Sequence, residues 1–213
     1  MPQLEKSRLA GRELENQLIE QGYHRVAGVD EAGRGPLAGP VVAACCILPK
    51  GFAMEGLHDS KLLSAKKREI FFEALTTTSN LEWGVAEMCH ETIDRVNIYQ
   101  ATKLAMIAAI DKLPSPPEYL LVDGMKLEYR KVPSAKIVHG DRISLSIAAA
   151  SVLAKVWRDR IMNNLDKIYP EYGFIRHKGY CTRLHLEALA KIGPSSVHRM
   201  TFRPCMEIKE KNV

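Results

Sequence analysis

The longest periodic segment of the chain lies between residues 143 and 168. Apolar residues recur there at spacings of three and four, the repeat of one helical face: Ile143, Ile147, Ala150, Ala154, Trp157, Ile161, Leu165 and Ile168. The pattern predicts a helix of about 25 residues, which Pro170 and Gly173 end. The end of this helix is also the predicted boundary between a first domain, residues 1–168, and a basic helical C-terminal lobe, residues 169–213.

Shorter apolar runs and helical patterns occupy the rest of the chain. Strands are predicted over five segments, which are 26–30, 41–48, 81–89, 119–123 and 136–138. Further helices are predicted at 3–21, 65–77, 91–112 and 181–191, and Ser64 can cap the second of them. The order of these elements favours an α/β fold, in which helices cover the faces of a layered sheet and a helical part follows.

The basic residues are unevenly distributed. The chain carries a formal net charge of +5, and its hydrophobic and charged fractions of 46% and 26% are those of an ordinary globular protein. Residues 1–159 hold 20 basic and 20 acidic residues, whereas residues 160–213 hold 10 and 5. A basic C-terminal surface is typical of proteins with a polyanionic partner, although a basic tail without such a partner is a common alternative.

The sequence points to a protein of the reducing cytoplasm. No run approaches the roughly 18 apolar residues of a membrane span, and the first twenty residues lack the apolar centre of a signal peptide. The five cysteines are odd in number and form no C-x-x-C pair, so they are predicted to be buried, reduced thiols and not zinc ligands.

Two of the predicted strands end in a carboxylate. Asp30 follows the apolar run that begins at Val26, and Asp123 follows the run that begins at Tyr119. Ligands bind beyond the carboxyl ends of strands in open α/β sheets, and two close carboxylates repel each other unless a cation lies between them. Oxygen ligands favour a hard cation such as Mg²⁺ or Mn²⁺. Each aspartate also has a simpler interpretation, in which it caps a turn.

Three further features surround these carboxylates. Glu31 lies beside Asp30, and it can join the same site only if the strand is already breaking, because neighbouring residues of a regular strand face opposite ways. The loop Gly33–Pro36 can bring backbone N–H groups close to a phosphate or hydroxyl oxygen, or it can be a plain tight turn. Asp141 precedes the long helix, where it can act as an N-cap or as a metal ligand.

Taken together, the short motifs are more specific than any one of them. They are Asp30 to Pro36, Asp59 to Lys61, Leu121 to Gly124, Gly140-Asp141, Ser146 to Val156, Arg158-Asp159, Tyr172 to Phe174, His177 to Tyr180, and His198-Arg199. In this order they resemble the ribonuclease HII family over residues 24–204. The resemblance implies a ribonuclease H-like mixed five-stranded sheet flanked by helices. It also implies an endonuclease that cuts RNA strands paired with DNA and single ribonucleotides embedded in duplex DNA.

The resemblance also implies roles for individual residues. Asp30, Glu31, Asp123 and Asp141 correspond to the family's acidic ligands for two divalent ions, Mg²⁺ or Mn²⁺, and the expected products carry 5′-phosphate and 3′-hydroxyl ends. Three residues of the glycine loop, Gly33, Arg34 and Gly35, match the family's reader of the ribose 2′-hydroxyl. Tyr180 matches the tyrosine that packs on the next sugar, and Lys61 a lysine near the substrate backbone. The expected protein is a monomer without a membrane partner.

Some positions depart from the family pattern, and two rival interpretations remain. His139 stands where lysine is usual, Cys181 where glycine or proline is common, and Met200 where a basic residue is expected. The nearest rival is a ribonuclease HIII-like hybrid nuclease; the aspartate at position 141, the glycine loop and the short segment of about 25 residues before the first strand all favour ribonuclease HII. The other rival is a non-catalytic nucleic-acid-binding protein, whose binding weakens with salt but which shows no metal-dependent turnover.

Overall fold

A computed structural model of the chain describes residues 10–211. Its strands are β1 (Val26–Ala32), β2 (Val41–Ile47), β3 (Glu82–Met88), β4 (Tyr119–Asp123) and β5 (Ser134–Ile137). Its α-helices are α1 (Glu13–Glu20), α2 (Ala65–Thr77), α3 (His90–Val96), α4 (Ile98–Ile110), α5 (Leu145–Ile168), α6 (Phe174–His177), α7 (Arg183–Ile192) and α8 (Arg203–Lys211). Among these residues, no helix is both long and apolar enough to cross a membrane.

The five strands form one mixed sheet in the order β3-β2-β1-β4-β5. β1, β2 and β3 pair antiparallel, whereas β1, β4 and β5 run parallel. The predicted α/β class and the mixed five-stranded sheet are therefore confirmed. The parallel pair matters most for the site, because it brings the carboxyl ends of β1 and β4 to the same edge of the sheet.

Helices cover both faces of the sheet. The core on one face joins β1 and β2 to α4 through residues such as Val29 and Ala105, and the core on the other face joins them to α5 through residues such as Ala44 and Val152. Adjacent strand residues alternate between the two cores, so Cys45 faces one and Cys46 the other.

The thiols divide into two groups. Cys45, Cys46 and Cys205 are buried free thiols, as predicted, whereas Cys89 and Cys181 are exposed, contrary to the prediction. Cys89 lies just before α3 and Cys181 just before α7, where neither side chain is covered by a core.

The α5 helix packs unusually close to β1. A Cβ atom added to Gly28 would lie 2.2 Å from the carbonyl carbon of Ser146, a contact that no larger residue can make. Glycine at position 28 therefore allows the first turn of α5 to contact the strand backbone directly. This contact brings the residues that precede α5 close to the end of β1.

Two predicted helices differ from the structure. The helix predicted over 91–112 is divided at Asn97, whose backbone has φ 67° and whose side chain accepts a hydrogen bond from the Gln100 N–H at 3.1 Å. With ψ 164° this backbone is not helical, so it ends α3, and the Asn97 side chain then caps α4. The helix predicted over 3–21 begins at Glu13 in the described residues, because Gly11 pairs with Ser144, and residues 3–9 lie outside them.

The segment after α5 is helical and has its own apolar cluster. Buried side chains from α5, α6, α7, α8 and the loop that follows β1 meet there, and they include Leu37, Met162, Phe174, Leu189 and Cys205. The loop after β1 is therefore packed between the sheet and the C-terminal helices. The division into domains at residue 168 stays a prediction.

Candidate active site

Three carboxylates meet at the edge of the sheet where β1 and β4 end. Asp30 lies near the end of β1, Asp123 ends β4, and Asp141 lies in a short 3-10 turn between β5 and α5. One carboxylate oxygen of each lies within 4.8 Å of the others. Because the parallel register pairs Val29 with Val122, the next residues of the two strands, Asp30 and Asp123, come side by side.

Local backbone geometry places Asp141 in this group. His139, which precedes the 3-10 turn, has a left-handed backbone with φ 54°, and the Gly140 N–H donates a hydrogen bond of 2.7 Å to Asp123. A Cβ atom at Gly140 would lie 2.5 Å from Cδ1 of Ile147, so a larger residue here would displace the end of that side chain. The N-cap of α5 is Ser144, whose hydroxyl accepts from the Ile147 N–H at 3.2 Å. The interpretation of Asp141 as an N-cap is therefore wrong.

The three carboxylates are crowded, and two of them, Asp30 and Asp141, are buried while Asp123 is half-buried. Burial and the charges of Glu31 and Asp123 hold the pKa of Asp30 well above its usual range. Burial, with the charges of Asp59 and Asp123, raises the pKa of Asp141 to about 6. Such clustered acids are costly without a compensating cation. The Lys61 ammonium group faces these acids, and their charges raise its pKa in spite of partial burial, which lowers it.

Glu31 lies beside the group of three but is not one of its members. Its Oε1 atom is 3.4 Å from an Arg34 nitrogen, and burial raises its pKa. Its Oε2 atom is buried and has no hydrogen-bond partner among the described residues. A buried carboxylate oxygen without a donor is rare, and a cation beside it would satisfy it. Together with the three aspartates, this oxygen makes a donor set that fits a hard divalent ion.

A small cavity adjoins the carboxylates. It has a volume of about 190 Å³ and is lined by Glu31, Ala32, Gly33, Arg34, Gly35, Ser60, Lys61, Ser151, Lys155 and Tyr180. The structure thus brings together all five residues that the sequence assigned to nucleic-acid binding. Lys155 is an addition: its Nζ atom lies 2.6 Å from Asp159, four residues later on α5, with which it forms an ion pair.

Two buried arginines form hydrogen bonds to carbonyl oxygens of the loop that follows β1. Arg199 donates to the carbonyl oxygens of Gly33, Arg34 and Gly39 at 2.6, 2.9 and 3.0 Å. Arg158 donates to the carbonyls of Ala38 and Pro40 in the same loop. Neither guanidinium group forms an ion pair with any described carboxylate. Burial lowers the pKa of Arg199 to about 9, and the Arg199 side chain therefore stays charged at neutral pH.

Tyr180 is held at the mouth of the cavity. Its ring is partly exposed, and the guanidinium carbon of Arg158 lies 5.8 Å from the ring centroid. Its carbonyl oxygen accepts a hydrogen bond from His185 Nδ1 at 3.0 Å, and His185 Nε2 in turn lies 2.9 Å from His198 Nε2. The Tyr180 backbone is thereby fixed by buried imidazoles, while its side chain remains accessible.

Sequence reasoning missed some of the residues that position this site. Asp59 is buried and accepts hydrogen bonds from the Lys61 N–H at 2.9 Å and from Arg142 at 3.0 Å, which ties the Lys61 loop to the Asp141 turn. The sequence contains the motif Asp59-Ser60-Lys61, but it gives no indication that Arg142 is the partner of Asp59. Arg199 had no sequence signal beyond its place in a motif, since its contacts cross 166 positions to Gly33.

The chain is similar to known proteins over most of its length. The sequence model of the family Ribonuclease HII matches residues 27–205. Ribonuclease HII of Chlamydia trachomatis serovar A (strain ATCC VR-571B / DSM 19440 / HAR-13) is 54% identical over 199 residues, which are 93% of this chain and 91% of that protein. The crystal structure of the ribonuclease H2 from Pyrococcus horikoshii OT3 superposes with a TM-score of 0.74 at 26% identity, covering 88% of this chain and 98% of that one.

A more distant likeness shows the fold alone. The crystal structure of Bst-RNase HIII in complex with Mn²⁺ has a TM-score of 0.69 at 17% identity, over 88% of this chain and 70% of that one. The sheet order and these structural neighbours together define a ribonuclease H-like fold. With the family match over most of its length, the chain belongs to the ribonuclease HII family. That membership implies a divalent-metal-dependent nuclease that cleaves the RNA strand of RNA–DNA hybrids.

Proposed function

We propose that this protein is an endoribonuclease that cuts RNA–DNA hybrids and also single ribonucleotides embedded in duplex DNA. The observation that carries the proposal is the position of Asp30, Asp123 and Asp141, within 4.8 Å of one another, beside the cavity formed by the glycine loop. The carboxylates would carry out the hydrolysis, and the cavity would bind the sugar next to the cleaved bond.

The metal-binding part of the proposal concerns four residues. Asp30, Glu31, Asp123 and Asp141 would hold two divalent ions, Mg²⁺ or Mn²⁺, since their crowded oxygens, among them the unpartnered Oε2 of Glu31, fit hard cations. Such ions, when bound, supply an activated water and stabilise the leaving 3′-oxygen. The chain itself keeps these carboxylates converged, through the Gly140 N–H on Asp123 and the glycine contact between β1 and α5. The proposed products carry 5′-phosphate and 3′-hydroxyl ends.

The substrate-reading part of the proposal concerns the cavity. Gly33, Arg34 and Gly35 would contact the ribose 2′-hydroxyl, because backbone N–H groups of a glycine loop can approach a small oxygen closely. Tyr180 would pack on the neighbouring deoxyribose, since its ring is exposed at the cavity mouth. Lys61 would contact the phosphate backbone, and the basic residues after position 160 would add attraction for the duplex.

The setting of the reaction is also proposed. All residues assigned above lie on one chain, so the site needs no second copy and the protein can act as a monomer. The five cysteines are free, which is consistent with the reducing cytoplasm.

Three duplexes test the proposal. Each carries an end label: one has a single ribonucleotide in DNA, one is a uniform RNA–DNA hybrid, and one is all DNA. We expect cleavage of the first two with Mg²⁺ or Mn²⁺, none with EDTA, and no cleavage of the third. If the hybrid is cleaved but the single-ribonucleotide duplex is not, the result would favour a ribonuclease HIII-like activity. Binding without any metal-dependent cleavage would overturn the enzymatic assignment.

A further inference from the structure

Arg199 lies in the C-terminal lobe but makes its three side-chain hydrogen bonds to the loop that follows β1. Its side chain is fully buried, and its donors reach the carbonyls of Gly33, Arg34 and Gly39. Burying a guanidinium group without a carboxylate is costly, and here its three hydrogen bonds to carbonyls of the loop offset that cost. The planar fork of arginine suits this task, because its N–H groups diverge in fixed directions.

These hydrogen bonds determine which way the loop's N–H groups point. In a trans peptide, the carbonyl of one residue and the N–H of the next point in opposite directions, and no peptide bond between residues 10 and 211 is cis. The Gly33 and Arg34 carbonyls point toward Arg199, so the N–H groups of Arg34 and Gly35 point away from it. Both of these residues line the cavity. Two successive N–H groups with this orientation form a concave donor site for one small oxygen.

The surrounding backbone contacts leave the loop little freedom to adopt another orientation. The Leu37 N–H donates to the Gly179 carbonyl at 2.8 Å, and the Gly39 N–H donates to the Val197 carbonyl at 2.9 Å. The Arg199 N–H donates back to the Leu37 carbonyl at 2.8 Å. The far half of the loop is therefore fixed to the C-terminal segments, while the near half, Gly33 to Gly35, depends on the Arg199 side chain.

We infer that Arg199 is a positioning residue for 2′-hydroxyl recognition: it orients the Arg34 and Gly35 N–H groups toward the cavity. The inference rests on the proposed function, since it assigns those N–H groups to the ribose. It gives the C-terminal lobe a part in substrate selection that is distinct from simple charge attraction. A lysine at this position keeps the charge but replaces the fork with a compact ammonium group, which cannot hold three carbonyls in the same geometry.

The test compares two duplexes that differ by one 2′-hydroxyl, a single-ribonucleotide duplex and the matching all-DNA duplex. Dissociation constants are measured in EDTA, which prevents cleavage, for the wild type, Arg199→Lys and Arg25→Lys. Arg25 is a matched control: it donates to the carbonyls of Ser115 and Pro116 but lies at the opposite end of β1. We expect the wild type and Arg25→Lys to bind the ribonucleotide duplex about tenfold more tightly than all-DNA, the contribution of about one good hydrogen bond.

For Arg199→Lys we expect this preference to fall to within about twofold of unity while affinity for the all-DNA duplex is kept. A role limited to stability would lower the melting temperature and leave the ratio of the two affinities unchanged, and that result would overturn the inference. If the wild type itself shows no preference, the proposed 2′-hydroxyl recognition fails and the inference fails with it. If the wild type prefers the ribonucleotide duplex and Arg199→Lys keeps that preference, the role of Arg199 is contradicted while the proposed 2′-hydroxyl recognition stands.

A measurement on the wild type keeps the inference testable if Arg199→Lys does not fold. The amide resonances of Arg34 and Gly35 are followed by ¹⁵N NMR as each duplex is added. We expect both to shift further with the ribonucleotide duplex than with all-DNA. Equal shifts with the two duplexes would overturn the inference.

Discussion

Replacing Asp141 by asparagine should make the metal-free protein more stable and the enzyme inactive. Asp141 is buried beside Asp59 and Asp123, whose charges, after burial itself, raise its pKa to about 6. Asparagine has nearly the same shape, and its amide can donate to the Asp59 carboxylate. The substitution therefore removes a buried negative charge with little change in packing.

The magnitude follows from the pKa. The folded value of about 6 lies above the ordinary value of 3.8, so above pH 6 the ionised carboxylate disfavours folding by roughly 3 kcal/mol. Burying the asparagine amide has its own cost, so we expect the free energy of unfolding to rise by about 1–3 kcal/mol at pH 7.5. The gain should shrink as the pH falls from 6 toward 3.8, because the native carboxyl group then becomes neutral.

Urea unfolding in EDTA measures the stability, and cleavage of the single-ribonucleotide duplex in Mg²⁺ measures the activity. Added Mg²⁺ should stabilise the wild type but not the variant, since only the folded wild type holds the full set of ligands. Asp111→Asn is the control, because Asp111 is an exposed carboxylate paired with Arg130; it should keep full activity and gain no stability. A loss of stability in Asp141→Asn in EDTA would refute the argument from charge crowding, and retained cleavage would refute the assignment as a ligand.

Three further predictions concern the site and its support. Asp30→Asn and Asp123→Asn should each abolish cleavage, to below about one part in a thousand, with an unchanged circular dichroism spectrum; wild-type-like rates in either would contradict the metal assignment. Tyr180→Ala should lose junction cleavage far more than duplex affinity, and an equal loss of both in kinetic and binding assays would argue against its selecting role. Burial lowers the pKa of His185 and His198 from 6.5 to about 4, so the free energy of unfolding should fall by roughly 1.4 kcal/mol per pH unit for each as the pH drops between these values. Urea unfolding at pH 7 and pH 5 measures the free energy of unfolding of the wild type and of His198→Gln. An equal fall of that free energy in both proteins would contradict the contribution of His198.

Elements governed by local pattern could be predicted from the sequence. The helix 65–77 has its predicted bounds and its predicted cap, Ser64, because capping and periodicity depend on neighbouring residues. The long helix ends where predicted, at Ile168, but begins at Leu145, since Ser144 and not an earlier residue supplies the cap. The break at Asn97 was missed because the apolar spacing continues across it, and only the cap hydrogen bond reveals it.

The candidate site was predictable in composition but not in arrangement. The convergence of Asp30 with Asp123 follows from two parallel strands that end in carboxylates, and that rule requires no side-chain geometry. The environment of Asp141 depends on Gly140, His139 and a contact with Asp123, none of which spacing reveals. The contacts of Arg199 with the glycine loop join distant segments, and such long-range contacts leave no periodic signal.

The number of Mn²⁺ ions bound at the site is the decisive test of whether the four carboxylates hold two metal ions. The measurement uses electron paramagnetic resonance of Mn²⁺ titrated into the protein with a single-ribonucleotide duplex whose scissile linkage resists hydrolysis. We expect two tightly bound ions per wild-type chain and fewer in Asp30→Asn, in which one of the converging carboxylates is neutral. The same number of ions in both proteins would contradict it.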